Sequence, residues 1–205
     1  MNTWIRRSFT SAGLTQSPPG PHFEALRARM SGTVLVCIDV SGSMYGDPLR
    51  QAVVGGTKFF DEAHKAGYRA GLILWNHGVV AHVWPDAGQE RVLRVLRAAH
   101  ASGGNDLVPT LVLCRDFFAE RTGDRVLCVF GDGDVGDPGA AKRLARQLCA
   151  MGVRIVVRGL GRGAQEALSA LVCPGETDEA QLIEDVKHID TGIASMASGL
   201  IRRYD

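Results

Sequence analysis

Short apolar runs alternate with segments of helical periodicity along most of the chain. The runs predict strands at residues 33–38, 70–75, 79–84, 125–130 and 153–158, and amphipathic helical patterns fill most of the gaps between them. Strands that alternate with helices are typical of a mostly parallel sheet covered by helices on both faces. We therefore expect an α/β domain with a doubly wound, Rossmann-like architecture.

The link between the second and third predicted strands departs from this alternation. It consists of Trp75-Asn76-His77-Gly78, which is too short for the crossover helix that joins two parallel strands. The third run therefore predicts an antiparallel strand at the edge of the sheet, paired with its predecessor as a β-hairpin.

Helix starts are predicted at Asp47-Pro48 and Asp137-Pro138, because each dipeptide offers a capping carboxylate followed by proline at the first helical position. Near the C-terminus, apolar residues recur at steps of four and three from Leu182 to Leu200. We interpret this stripe as a closing helix packed on the sheet. The alternative, a coiled-coil seam, is disfavoured because Gly192 interrupts the stripe.

Residues 8–22 are rich in Ser, Thr, Gly and Pro and show no sustained period. A short basic segment with apolar residues at helical spacing follows them. We therefore expect an N-terminal arm or linker with a short helix at residues 1–30, and one domain at residues 31–205. A chain of 205 residues suits this division, because it is long enough for one full-sized core but short for two.

The charge of the chain indicates no particular class of partner, because the formal net charge is only +1. Such a chain has no strong field to draw it onto nucleic acid or an anionic membrane. No apolar run is long enough to span a bilayer, and the N-terminus lacks the apolar core of a signal peptide. We expect a cytoplasmic protein, and the excess of Arg over Lys favours a bacterial source.

The five cysteines are Cys37, Cys114, Cys128, Cys149 and Cys173. They form no Cys-x-x-Cys pair, and most lie inside apolar periodic segments. We expect reduced, buried thiols and no zinc.

The segment Asp39-Val40-Ser41-Gly42-Ser43 follows directly on the first apolar run. It places one carboxylate and two hydroxyls in a tight turn at the carboxyl end of a buried strand. Oxygen ligands of this kind suit a small, hard cation such as Mg2+. By itself the segment is also compatible with an ordinary polar turn.

Two further loops should reach the same edge of the sheet, where doubly wound proteins bind their ligands. The first, Gly103–Leu111, has paired glycines that permit close backbone approach and places Asn105 or Asp106 at the turn. The second is Phe130-Gly131-Asp132-Gly133-Asp134, in which a carboxylate flanked by glycines ends a strand.

The stretch Val34–Met44, VLVCIDVSGSM, resembles the first strand and DxSxS motif of the von Willebrand factor type A (vWA) domain. The order of predicted elements is similar to that family from about residue 31 to residue 203. In the family this motif belongs to the metal-ion-dependent adhesion site (MIDAS), in which Asp, two Ser, a Thr from a second loop and an Asp from a third surround one divalent ion. The resemblance assigns as ligands Asp39, Ser41, Ser43 and Asp132, around Mg2+ or alternatively Mn2+ or Ca2+.

The second loop departs from the family, which commonly has Thr where this chain has Asn105. An Asn amide oxygen can coordinate these cations directly or through water, so we expect Asn105 to be the remaining ligand. We expect a partner-binding rim around the ion at Gly42, Met44, Asp106 and Asp134.

The resemblance implies a non-enzymatic protein-interaction module in which Asp or Glu of a partner protein completes the coordination of the ion. It further implies a subunit of a bacterial multi-component system, with an ATPase or another subunit encoded nearby as the partner. One alternative is a Mg2+-dependent phosphoester hydrolase, although the haloacid-dehalogenase-like motif would have Asp in place of Ser41. The other is a metal-free structural scaffold in which the N-terminal arm makes the contacts.

One weaker motif remains. The last predicted strand is followed by Gly159-Leu160-Gly161-Arg162-Gly163-Ala164. This segment matches GxGxxA, a pattern found in dinucleotide-binding proteins. We disfavour this function, because no further strand is predicted on which an acidic ribose-binding residue could sit.

Overall fold

The computed structural model describes residues 32–176 and 179–200. By its contacts the chain divides into two units, residues 1–30 and residues 31–205. The arm and short helix expected in the first unit lie outside the described residues, so the architecture given below is that of the second unit.

The described part of this unit contains a six-stranded sheet of order β3-β2-β1-β4-β5-β6. The strands are β1 (Thr33–Asp39), β2 (Arg69–Trp75), β3 (Val79–Val83), β4 (Arg125–Gly131), β5 (Val153–Leu160) and β6 (Ala180–Ile183). All neighbouring strands are parallel except β2 and β3, which pair antiparallel. The expected mostly parallel sheet with one antiparallel edge strand is therefore confirmed.

Helices flank the sheet on both faces, as predicted. They are α1 (Asp47–Lys65), α2 (Gln89–Arg97), α3 (Val108–Ala119), α4 (Pro138–Ala150), α5 (Arg162–Ser169) and α6 (Ile189–Ser195). Side chains of α1, α2 and α6 join one apolar cluster, and those of α3, α4 and α5 join the other. Among the described helices, none combines the length and the apolarity needed to cross a membrane.

The central strand β1 shows why the sheet needs both layers. All seven of its residues are buried. Val34, Val36 and Ile38 belong to the cluster under α1, whereas Leu35 and Cys37 belong to the cluster under α3 and α4. A strand that is apolar on both sides is stable only when both sides are covered.

The strand order places a crevice at the carboxyl end of β1. The chain leaves β1 to form β2 on one side and later returns to form β4 on the other, so β1 pairs with both. Asp39 is in register with Trp75 of β2, and Ile38 is in register with Phe130 of β4. The loops after β1 and β4 therefore diverge at a topological switch point, the usual ligand site of such sheets.

The prediction of a single closing helix from Leu182 to Leu200 is wrong. Leu182 lies in β6, a 3-10 turn spans Val186–His188, and α6 is followed by a second 3-10 segment at Met196–Leu200. The Asp185 carboxylate accepts a hydrogen bond from the Lys187 backbone N–H at 3.1 Å, which stabilises the turn. The short strand breaks the helix, although the apolar spacing continues across the break.

The two predicted helix starts differ in detail. The Asp137 side chain caps α4 as expected, accepting a hydrogen bond from the Ala140 N–H at 2.9 Å. Asp47, however, is the first residue of α1, and the N-cap position belongs to Gly46. Gly46 has a φ of 86°, a conformation that glycine adopts easily. The helix therefore begins at Asp47, one residue earlier than predicted.

The expectation of reduced cysteines is wrong for two of the five. Cys149, at the end of α4, forms a disulfide with Cys173. The other three, Cys37, Cys114 and Cys128, are free and buried, as expected. The sequence could not pair the bonded two, because a separation of 24 residues with no Cys-x-x-Cys spacing gives no signal of proximity.

Candidate metal centre

Asp39 ends β1 and lies at the bottom of the candidate site, with its side chain fully buried. Its Oδ1 accepts a hydrogen bond from the Ser41 backbone N–H at 2.7 Å. Its Oδ2 faces the Asn105 amide nitrogen and the Asp132 backbone nitrogen, each at 3.4 Å. One carboxylate thus touches all three loops that the sequence singled out.

The two serine hydroxyls continue from this carboxylate towards the surface. Ser41 Oγ lies 3.0 Å from Ser43 Oγ, and Ser43 Oγ donates a hydrogen bond to Asp132 Oδ1 at 2.8 Å. Ser41 is buried and Ser43 is exposed. The oxygen atoms therefore form a continuous array that begins inside the protein and opens to solvent.

Backbone hydrogen bonds hold the first two loops together. The Gly42 N–H donates to the Gly103 carbonyl at 3.0 Å, and the Ser102 N–H donates to the Val40 carbonyl at 2.9 Å. The buried Asn76 side chain adds a bond from its Nδ2 to the Ser102 carbonyl at 2.8 Å. The position of Asn105 relative to Asp39 is thus set by a bonded framework and not by the loop alone.

The third loop approaches the second loop closely at Gly133 and Asn105. A Cβ built on Gly133 would lie 2.5 Å from Asn105 Nδ2, so the Asn105 side chain would have to move to make room for it. Gly131 is similarly confined, since its Cβ would lie 3.1 Å from the Trp75 ring and 3.4 Å from Asp39 Oδ2. The glycines that flank Asp132 in the sequence therefore make room for the second loop and the floor of the site.

The expected rim is only partly accessible. Gly42 and Asp134 are exposed, but Met44 is fully buried in the apolar core and cannot contact a partner, which corrects that assignment. Asp106 is half-buried, and its Oδ1 accepts a hydrogen bond from the Val108 N–H at 2.9 Å at the start of α3. The residue that sequence reasoning missed is Tyr45, which is 82% exposed directly after the motif.

The electrostatics of the site favour a cation. The pKa of the Asp39 carboxyl is raised from 3.8 to about 6. Burial is the main cause and the nearby Asp132 charge adds to the rise, while hydrogen bonds from Ser41 and from the Asp132 backbone oppose it. Within the described residues, no Lys or Arg forms an ion pair with either carboxylate. Two acids with no positive partner are costly to bury, and a cation between them would remove the cost.

The kind of donor atom is also informative. The described part of the chain contains no group of three or more His, Cys, Asp or Glu side chains placed to hold a metal. A cation at this site would therefore depend on the Ser41 and Ser43 hydroxyls and the Asn105 amide as well as on two carboxylates. All of these are oxygen donors of the kind that hard divalent cations prefer, so the residues present fit such an ion.

Comparison with known proteins adds a match to one family model and a set of structures with the same fold. The family model described as von Willebrand factor type A domain matches residues 34–134, a span that contains all three loops. A search of the curated proteins found no match to the sequence.

Several solved structures share the fold. A von Willebrand factor type A protein from Catenulispora acidiphila is 17% identical with a TM-score of 0.65, covering 83% of this chain and 42% of its own. The vWF domain of the type V pili tip protein Mfa5 from Porphyromonas gingivalis is 13% identical with a TM-score of 0.69, covering 86% and 98%. Proximal thread matrix protein 1 from the mussel byssus, with a zinc-occupied MIDAS motif, is 15% identical with a TM-score of 0.69, covering 82% and 47%.

At these identities the likeness shows the fold alone. The chain spans less than half of the length of the Catenulispora and mussel structures, at 42% and 47%. The match to the family model and the shared architecture together lead to one conclusion: residues 34–134 are similar in sequence to the von Willebrand factor type A domain, and the described unit has the fold of that domain.

Proposed function

We propose that this domain binds a divalent cation through Asp39, Ser41, Ser43, Asn105 and Asp132, and that the ion holds a carboxylate of a partner protein. The observation that carries the proposal is the buried Asp39 carboxylate, which lies beside a second carboxylate with no basic partner in the described chain. When bound, the ion supplies residual positive charge and an open coordination position for the incoming Asp or Glu.

The proposed ligands lie at different depths below the protein surface. Asp39 supplies charge from the buried end, where its Oδ1 is already held by the Ser41 N–H. Asp132 supplies charge near the surface, and the exposed Ser43 hydroxyl leaves the outer face accessible. Asn105 presents its amide nitrogen to Asp39 Oδ2, so ligation through its own Oδ1 would require the amide to rotate by half a turn.

We propose Mg2+ as the resident ion, with Mn2+ or Ca2+ as substitutes, because the donors are all oxygen atoms. We also propose that residues 31–205 form the functional domain, and that it acts without catalysis in a bacterial multi-component system with an ATPase or another co-encoded subunit. The cytoplasm is the proposed compartment. The Cys149–Cys173 bond is the observation that argues against a reducing compartment, so its state in cells tests this part of the proposal.

Metal binding is the first test. The full chain, stripped with chelator, is titrated with Mn2+ and binding is followed by water-proton relaxation. The Asp39→Asn variant should lose binding, while the control Asp116→Asn, at an exposed carboxylate ion-paired with Arg115, should keep it. Equal Mn2+ affinity in Asp39→Asn and the unaltered protein would contradict the proposed ligand set.

Carboxylate capture is the second test. An array of short peptides that contain Asp, Glu, Asn or Gln at a fixed position is probed with the full chain, once with Mg2+ and once with chelator. Asp and Glu peptides should be retained only with Mg2+, and their amide counterparts should not be retained. Retention that survives chelation would contradict a metal bridge.

A further inference from the structure

A cleft of about 490 Å³ opens beside the metal centre. Asp132, the proposed surface ligand, forms part of its wall, so the cleft begins where the metal site ends. The remaining wall comes from the loop after β4, the end of β5 and the first turns of α5. A partner residue next to one bound at the metal centre would meet this surface first.

Most of the cleft wall is apolar and made of small residues. Leu160, Ala164 and Ala167 supply its apolar surface. Gly163 leaves its side-chain position open, because a Cβ built there would meet no atom within 4 Å. The charged residues of α5, Arg162 and Glu166, are not among the residues that line the cleft.

One carboxylate in the cleft is available for pairing. Asp134 is exposed and accepts a hydrogen bond at its Oδ1 from the Gly136 N–H at 3.2 Å. In the described part of the chain, Asp134 forms no ion pair with Lys or Arg. The cleft thus combines an apolar wall with a carboxylate that has no cationic partner.

This combination selects among possible occupants. A Lys or Arg side chain packs its aliphatic stem on apolar surface and keeps its charged head at a polar edge. A purely apolar side chain would cover Asp134 without pairing it. The N-terminus of α5 also meets the cleft and favours an anion, but its partial charge of about half a unit is smaller than the full charge of Asp134.

We propose that the cleft is a second subsite for the same partner and takes a Lys or Arg side chain near the Asp or Glu that the metal centre holds. The proposal rests on the proposed function and adds to it the sequence class of the partner. The recognised segment carries an acidic residue and, a few residues away, a basic one.

Fluorescently labelled peptides test the pairing. Each carries one Glu and one variable residue, Lys, Leu, Glu or Ala, placed one to five positions from it, and binding to the full chain is measured with Mn2+ present. At one or two spacings the Lys peptide should bind about fivefold more tightly than the Ala peptide, the gain of a favourable ion pair. Asp134→Asn should reduce this advantage to less than about twofold.

A variant that fills the cleft gives an independent measurement. Gly163→Leu places a side chain in open space at a helical position and should remove the Lys advantage, whereas Gly163→Ala should preserve it. Mn2+ affinity should be the same in both variants and in the unaltered protein. A Lys advantage that persists in both Asp134→Asn and Gly163→Leu would overturn the proposal.

The remaining outcomes separate the two proposals. Equal binding of Lys and Ala peptides, or a preference for Leu or Glu at the variable position, would overturn the subsite and leave the metal bridge intact. Absence of any Glu-dependent binding with Mn2+ would overturn the proposed function, and the subsite with it. Glu-dependent binding that chelator does not weaken would overturn the metal bridge, and with it a subsite that lies beside a metal-bound carboxylate.

Discussion

At the scale of single residues, the ionised Asp39 carboxylate destabilises the folded chain when no cation is bound. Its pKa of about 6 in the folded state lies above its ordinary value of 3.8, so the fold prefers the protonated form. The favourable contribution of the proton is complete below pH 4 and is lost as the pH rises through 6. A neutral side chain of the same shape should not incur this loss.

Asp39→Asn should therefore raise the free energy of unfolding at pH 7.5 in chelator by roughly 2–3 kcal/mol, and by little at pH 4. Urea denaturation at a series of pH values measures the difference. Saturating Mn2+ should reverse the order at pH 7.5, because only the unaltered protein gains stability from the ion. A variant that is less stable than the unaltered protein at pH 7.5 in chelator would contradict the burial argument.

Asn105 provides a second prediction at this scale. Asn105→Thr should keep or strengthen Mn2+ binding, because a hydroxyl oxygen replaces the amide oxygen. Asn105→Ala should weaken binding by about tenfold, the usual loss for a residue that ligates weakly or orients a ligand. Titration of both variants with Mn2+ measures the effect, and an affinity unchanged from that of the unaltered protein in both variants would exclude Asn105 from the site.

The sequence identified three loops that the fold brings together, but not the orientations of their side chains. Asp39, Ser41, Ser43 and Asp132 could be proposed as ligands because oxygen donors follow buried strands and because the first loop resembles the DxSxS motif. Met44 was misplaced because the segment Gly42–Met44 is a 3-10 turn. Because a 3-10 helix repeats every three residues, Met44 points inward like Ser41, and Tyr45 remains exposed. Nothing in the residue types distinguishes this turn from an extended loop.

At the scale of elements, two glycines in helices should respond to alanine in opposite ways. A Cβ on Gly55 of α1 would lie 2.6 Å from the Asp190 carbonyl oxygen of α6, so α1 and α6 pack through that glycine. Gly55→Ala should lower the free energy of unfolding by about 1–3 kcal/mol. Gly163→Ala in α5, where the space is open, should raise it by about 0.5–1 kcal/mol.

Thermal and urea unfolding of the two variants measure these changes against the unaltered chain. If Gly55→Ala proved as stable as Gly163→Ala, α6 would have to shift away from α1 without loss. The close contact would then not determine the packing of the last helix.

The long elements were predictable and the last short strand was not. The five longer strands and the hairpin follow from apolar runs and a tight linker, and they fall within two residues of the expected ends. β6 has four residues, Ala180–Ile183, too few to show the alternation of a half-buried strand. Gly192, whose absent side chain makes room for Ile183 beside it, looked like a defect in a helical stripe.

At the scale of the whole molecule, the disulfide and the expected compartment conflict. The bond closes a loop across 24 positions between the end of α4 and the segment after α5. Loop-closure entropy gives a contribution of about 3 kcal/mol to stability. Reduction should lower the free energy of unfolding by about that amount, with the Cys149→Ser, Cys173→Ser double variant as the control that no longer responds to reductant.

Rapid alkylation of thiols in intact cells, followed by mass spectrometry, shows which state exists there. A cytoplasmic protein should show both thiols alkylated. A bonded pair in freshly quenched cells would contradict the cytoplasmic expectation. The buried Cys37, Cys114 and Cys128 should remain unmodified until the chain unfolds, which provides an internal reference.

The switch point between β1 and β4 also has a consequence for how the protein is made. Asp39 meets Asn105 across 66 positions and the Asp132 backbone across 93. A chain still emerging from the ribosome displays the serines and Asp39 long before the residue that completes the array is synthesised. The proposed capture of a partner therefore requires synthesis of the chain through Asp132, and an incomplete chain should not bind.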